Sequence, residues 1–353
     1  MSLNSGLAMR HSFSEQVFFH ARKADIPFLD ERERIMSMEF SRRDFLGVCS
    51  AAACAVSLNM VEASVAPPGG GYTGTLCLFS KPLPGMNWLR LAQAAKSIGF
   101  GGIDLTVRQG GHVSPERAAE DLPKAVAAIR EEGLDVPMIT TEITSADDPA
   151  ARTILTIAAK HSIPFFKPGY YKYKMVNVRR ELEEAAGQFR GLVGLGKQYG
   201  VQAGYHNHEE YMGAPVWDVA SVIDTLDPKW AGFYFDPRHA VAEGGVGGWK
   251  IATNLVMPRL KMVAAKDFRW EKAETGWAAR NCPLGEGMVD WKYFVNALAA
   301  GGFQGPISLH LEYDVAGKTS AAKEENILAA LRRDLQFLKT RLREGYGAIA
   351  GDR

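Results

Sequence analysis

The chain has almost no surplus of charge. Across 353 residues, 41 Lys and Arg face 40 Asp and Glu, leaving a formal net charge of +1. That balance excludes the electrostatic footprint of a surface for DNA, RNA or anionic lipid, so the default partner is a small molecule. Cysteine is scarce, four in all. Cys49 and Cys54 fall in the N-terminal stretch, and Cys77 and Cys282 read as a thiol of the first strand and a loop thiol, not as a disulfide framework. Long apolar runs are missing too: Gly47 to Val61 is interrupted by Ser57 and Asn59, so no permanent membrane anchor is expected. No glycine-rich dinucleotide fingerprint follows the first strand, which argues against a Rossmann domain.

What is present begins with an address. Ser41-Arg42-Arg43-Asp44-Phe45-Leu46, the modest apolar stretch behind it, and Ser64-Val65-Ala66 before Pro67-Pro68 resemble a twin-arginine export signal cleaved after Ala66. Residues 1–66 are therefore expected to be an N-terminal extension and signal, and residues 67–353 a single domain. The site of action is then periplasmic or extracellular, where phosphorylated sugars are scarce.

Apolar runs alternate with amphipathic ones along the rest of the chain. Strands are expected at Gly74 to Phe79, Gly102 to Val107, Pro137 to Ile143 and Pro164 to Pro168, then within 204–211, 233–240, 262–270 and 307–313. Helices are expected over Trp88 to Ile98, Ser114 to Glu132, Pro149 to His161, Val178 to Tyr199, Val216 to Leu226, Trp249 to Leu260, Trp291 to Ala300 and Ala322 to Arg343. Eight such pairs with short connections predict an α/β fold, a single-domain (β/α)8 TIM barrel. Its active site lies at the C-terminal ends of the strands, where His206, His208, Asp236, His239, Lys266, Asp267, His310 and Glu312 recur.

Six motifs carry a resemblance: 99–108 (GFGGIDLTVR), 205–209 (YHNHE), 235–239 (FDPRH), 265–268 (AKDF), 283–287 (PLGEG) with Val289-Asp290-Trp291, and 311–313 (LEY). Together they resemble the xylose-isomerase-like barrel superfamily in its sugar isomerase/epimerase branch. The resemblance implies one divalent metal (Mn, Zn, Fe, Co or Mg) held at the positions of His206, Asp236, Ala264 and Glu312. Alanine ligates nothing, so the expected set is His206, Asp236 and Glu312 completed by water. A homodimer is an assembly the resemblance allows. An apurinic endonuclease is excluded by the lack of a basic surface and of the many ligands of a trinuclear zinc site.

The expected activity is isomerisation or epimerisation of a non-phosphorylated sugar or keto-sugar by proton abstraction beside a carbonyl, assisted by metal. The alternatives are a 3-keto-glycoside lyase or hydrolase, and a non-catalytic sugar-binding barrel. Glu312, Glu142, His239 and Lys266 are the candidate catalytic groups. Glu142 is expected inside the barrel beside Thr140, and Lys266 to reach the space left by Ala264. Arg108, His112, Lys167, Tyr170, His208 and Trp270 are candidate substrate contacts. Of His206 and His208 only one is expected to point inward, and His206 is favoured. The segment from Arg269 to Gly287 is read as a polar lid.

Overall fold

The computed structural model describes residues 71–349. The export signal expected over 1–66, and the first residues of the domain expected from 67, lie outside the described residues.

Ten strands and eight helices are formed among the described residues. The strands are β1 (Leu76–Phe79), β2 (Gly102–Val107), β3 (Asp135–Thr141), β4 (Phe165–Lys167), β5 (Gln202–His206), β6 (Ala231–Phe235), β7 (Leu260–Ala265), β8 (Asp267–Ala273), β9 (Gly276–Cys282) and β10 (Ile307–Leu309). The helices are α1 (Trp88–Ile98), α2 (Ala118–Glu131), α3 (Ala151–Lys160), α4 (Val178–Tyr199), α5 (Trp217–Ile223), α6 (Pro237–Val256), α7 (Trp291–Ala300) and α8 (Ser320–Tyr346). All strands but β8 and β9 close into one parallel barrel in the order β1-β10-β7-β6-β5-β4-β3-β2. The expected (β/α)8 TIM barrel is the fold found. No described helix is long and apolar enough to cross a membrane, and Cys77 and Cys282 are free, buried thiols.

Local chemistry sets the ends of the elements. Asn87 accepts from the Arg90 N–H at the start of α1 (2.9 Å), and Gly99 closes that helix at φ 102°. Asn177, Asp290 and Thr319 cap α4, α7 and α8 in the same way.

Strand alternation separates the two faces of the wall. On β2, Ile103, Leu105 and Val107 join the core beneath the helices, which leaves Asp104 and Thr106 to face the barrel interior. Met138, Tyr234, Met262 and Ala264 form a second, smaller buried cluster. Above it the lining turns polar.

Two expectations are corrected. The helix after β6 begins at Pro237, not near Trp249, and carries a kink at Gly245 (φ 58°). Cys282, read as a loop thiol, ends β9 in an antiparallel hairpin that makes up much of the segment read as a lid, with Asp267 opposite Cys282 and Trp270 opposite Ala279.

Candidate functional site

The site is built from strand ends. Asp236 is the last residue before α6, where its carboxylate caps the helix, accepting from the N–H of Arg238 (2.8 Å) and of His239 (3.3 Å). This places His239 on the first turn of a helix rather than in a loop. His206 ends β5, and its Nε2 lies 3.3 Å from Asp236 Oδ2, while its Nδ1 is 2.8 Å from the Tyr170 hydroxyl. Burial holds this imidazole neutral, with its pKa down at about 3 despite Asp236. A neutral ring serves both contacts when Nε2–H donates to Asp236 and Nδ1 accepts from Tyr170.

Lys266 follows β7 and is 3% exposed. Its Nζ lies 2.9 Å from Glu312 Oε2, 3.3 Å from Asp236 Oδ2 and 2.9 Å from His239 Nε2. Burial works against its charge, but Asp236 and Glu312 outweigh burial and raise its pKa. The same balance seen from the acids holds Asp236 and Glu312 well below the ordinary carboxylate range, although burial alone pushes both up. His239 is lowered well below a free histidine by burial and by Lys266.

A second network lies one layer deeper, and sequence reasoning missed most of it. Asp104 accepts from Thr140 (2.8 Å), Ser308 (2.8 Å) and Tyr234 (3.0 Å), and the Tyr234 hydroxyl is 2.8 Å from His310 Nε2. His310 stacks on Phe79 with ring centroids 4.0 Å apart. Burial disfavours its charge, yet Asp104 and Glu312 outweigh burial and raise its pKa. Its Nδ1 is buried without a hydrogen bond, 3.8 Å from Glu312 Oε2. The available signal was an Asp in the middle of an otherwise apolar strand, a position that demands buried partners.

Phe79, Arg108, Thr140, Tyr170, His206, His208, Tyr234, Lys266, His310 and Glu312 surround a cavity of about 70 Å³ at the barrel mouth, with Lys81 at its edge paired to Glu312. A larger groove of about 920 Å³ runs between the hairpin and α8, lined by Arg269, Arg280 and Arg333, and holds none of the converging buried acids and imidazoles.

Most of the expected residues meet here, and five do not. Glu142 lies one residue past β3, exposed, and accepts from the Gln109 N–H (2.8 Å), so the strand ends too early to carry it inside. The His112 ring is pinned outside the cavity by the Leu83 carbonyl (3.1 Å). Lys167 is buried under the Tyr170 ring, 3.4 Å from its centroid, and does not line the cavity. Trp270 is on the hairpin, 42% exposed. His208 corrects the expectation that one histidine of the pair faces out. Residues two apart share a face of a strand, and both line the cavity. Asp267 turns away and binds the loop at 283–291.

The donors are of metal-binding type, but as arranged around Lys266 they do not fit the metal that the resemblance implies. Hydrogen-bond distances, not ligand distances of about 2.0–2.2 Å, separate Asp236, Glu312 and His239 from a lysine ammonium at their centre. Among the described residues no group of three His, Cys, Asp or Glu is placed to hold a metal ion.

The family model described as xylose isomerase-like TIM barrel matches residues 92–341. No curated protein matches the chain. Solved structures share the fold. They include D-psicose 3-epimerase with D-tagatose from Clostridium cellulolyticum H10, at 10% identity over 76% of this chain and 99% of that one, TM-score 0.58. A 3-keto-D-glucoside 4-epimerase from E. coli matches at 16% identity over 76% and 100%, TM-score 0.57. A xylose isomerase-like TIM barrel protein from Mycobacterium smegmatis in complex with magnesium matches at 15% identity over 78% and 98%, TM-score 0.57.

Proposed function

The chain belongs to the xylose isomerase-like TIM barrel family, and from that premise we propose that it is a carbohydrate isomerase or epimerase. It moves a proton on the carbon beside a carbonyl of a free sugar or keto-sugar. The observation that carries the reading is the placing of three different proton-handling groups around one cavity: Glu312, His208 and His310.

Each has a distinct part. Glu312 is ionised and takes the proton. One oxygen is bound by Lys266 and the other by Lys81, whose side chain is half exposed. Lys81 is the solvent-facing partner of that pair, so it is the group an entering substrate displaces. The His208 Nδ1–H donates to the Glu209 carbonyl (2.9 Å), which leaves Nε2 as an acceptor on a ring that burial keeps neutral. Glu312 follows β10 and His208 follows β5, three places apart in the barrel order. A sugar carbon between them loses its proton to Glu312 on one face and regains one on the other from His208 Nε2, once that nitrogen has taken a proton from solvent. The reverse reaction runs the two groups in the opposite order, as epimerisation requires.

The electrophile is His310. Its Nε2–H donates to Tyr234 and Tyr234 donates to Asp104; in the protonated ring the Nδ1–H, which lies 3.8 Å from Glu312 Oε2 without a hydrogen bond, is left to donate to the carbonyl oxygen of the substrate. The developing enediolate gains a hydrogen bond inside a buried site, and Lys266 adds a fixed positive field beside it. No step runs through a metal ion, since the atoms that would hold it are engaged by Lys266.

The epimerases that share this fold support the sugar reading. The twin-arginine pattern supports export and, through compartment, a non-phosphorylated substrate. Replacing Arg42 and Arg43 by Lys should leave the protein in the cytoplasm, and unchanged export would remove the argument from compartment. The reaction itself is tested by incubating the purified protein with free keto-sugars and 3-keto-glycosides in D2O and following the carbon-bound protons by NMR. Deuterium entering beside the carbonyl, and lost in Glu312→Gln, is the expected result. Release of the aglycone from a 3-keto-glycoside would identify the lyase alternative. Saturable sugar binding with no exchange would identify a binding protein.

A further inference from the structure

We propose that the Lys266 ammonium is the resident cation of this site and stands where a divalent metal ion would otherwise sit. The inference rests on the barrel-mouth site described above but not on the identity of its substrate.

Two carboxylates and two imidazoles, Asp236, Glu312, His206 and His239, make a donor set suited by chemistry to Mn or Zn. Three of them meet at Lys266 Nζ, at 3.3, 2.9 and 2.9 Å. The fourth, His206, reaches the same Asp236 oxygen at 3.3 Å. The ammonium gives hydrogen bonds to Glu312 and His239 and pairs by charge with Asp236. The strand offers no replacement ligand: the inward position two residues earlier is Ala264, paired in register with Ser308 and packed with Met138, Tyr234 and Met262. A dication entering the cluster must compete with a positive charge already bound to the same oxygens, within a pocket where Lys266 is 3% exposed and cannot swing into solvent. The tether changes the chemistry as well. A lysine cannot be chelated away or exchanged, so the positive field beside the reacting oxygen is permanent.

Metal affinity tests this directly. Mn2+ and Zn2+ are titrated calorimetrically into the full protein, into Lys266→Ala and into Lys266→Ala/Asp236→Ala, and metal content after acid digestion is measured for each. The wild type should carry no stoichiometric metal and give a flat isotherm. Lys266→Ala should bind one ion per chain, tighter than wild type by on the order of 100-fold or more, and the double variant should lose that binding. One metal per wild-type chain, lost in Asp236→Ala, would overturn the proposal, and so would a folded Lys266→Ala that binds no better than wild type. Lys266→Gln, which keeps a neutral donor, serves if the alanine variant does not fold. Should neither fold, the wild-type metal content and isotherm decide alone. Binding is read here and not turnover, so a failed sugar assay leaves this result standing, and a metal-loaded wild type leaves the proposed reaction standing.

Discussion

At the scale of single residues, the proposed roles separate by what each replacement removes. Glu312→Gln keeps the shape of the side chain and takes away the proton acceptor, so turnover should fall by about 10²–10⁴ with substrate affinity largely kept. His310→Asn removes the donor to the carbonyl and should lower kcat by about 10²–10³. Tyr234→Phe breaks the link between His310 and Asp104 while leaving Nδ1 in place. Its loss should therefore be smaller than that of His310→Asn and should move the pH profile. Glu142→Gln, at an exposed loop position, should leave kcat within about twofold. Steady-state kinetics on any substrate that exchanges deuterium checks all four; a Glu142→Gln loss as large as that of Glu312→Gln would place the chemistry at the wrong carboxylate. Sequence reading found the residues at strand ends because polar groups interrupt apolar runs there. Asp104 and Tyr234 sit inside β2 and β6, where burial and partners come only from strands distant in sequence.

At the scale of elements, the alternation of strand and helix was legible wherever caps and apolar stripes agreed. The expected spans of α1, α4, α7 and β2 coincide with those observed. It failed where local propensity pointed elsewhere. Gly244, Gly245, Gly247 and Gly248 read as a loop, yet α6 runs through them because its first turn is fixed by Asp236 and its later turns bury Trp249 and Ala252. Beyond Phe268 the hairpin's Trp270, Trp277 and Ala279 share one face but are not buried, so its alternation marked no core side. The loop joining the hairpin to α7 depends on one carboxylate. Asp267 accepts from the N–H groups of Phe268 (2.8 Å), Gly285 (3.0 Å) and Val289 (3.2 Å) and from the Trp291 indole (2.9 Å). A Cβ on Gly287 would stand 2.1 Å from that carboxylate and 2.4 Å from the Phe268 carbonyl oxygen. Gly287→Ala should therefore cost about 2–3 kcal/mol and Asp267→Ala about 3 kcal/mol. Urea denaturation measures both, and a loss under about 0.5 kcal/mol for Gly287→Ala would show that the loop gives way freely.

At the scale of the whole molecule, the buried histidines couple folding to pH. Burial pushes His206 down to about 3 and lowers His112, His208 and His239, whereas His310 alone among these is raised. Between about 3 and the free value near 6.5, the unfolded chain protonates His206 and the native protein does not. Protonation therefore favours unfolding: this contribution to stability is complete above about 6.5 and is lost as the pH falls. His310 acts in the opposite sense. Its contribution is present below about 6.5 and lost as pH rises through its folded value. Asp236 and Glu312, held low, begin to lose theirs only on falling through about 4. The lowered histidines outnumber the raised one, so the protein should lose stability from pH 6.5 downward, well before its carboxylates titrate. His206 alone should remove about 1 kcal/mol between pH 6.5 and 5.5, equivalent to a few degrees in Tm for a domain of this size. Thermal melts at pH 7.5, 6.5 and 5.5 should show Tm falling with pH. His206→Asn, although less stable throughout because Tyr170 and Asp236 lose a partner, should show a shallower fall by that one proton's share. A Tm that stays level or rises between pH 7.5 and 5.5 would mean that the protonated His310, and not the neutral histidines, governs the linkage.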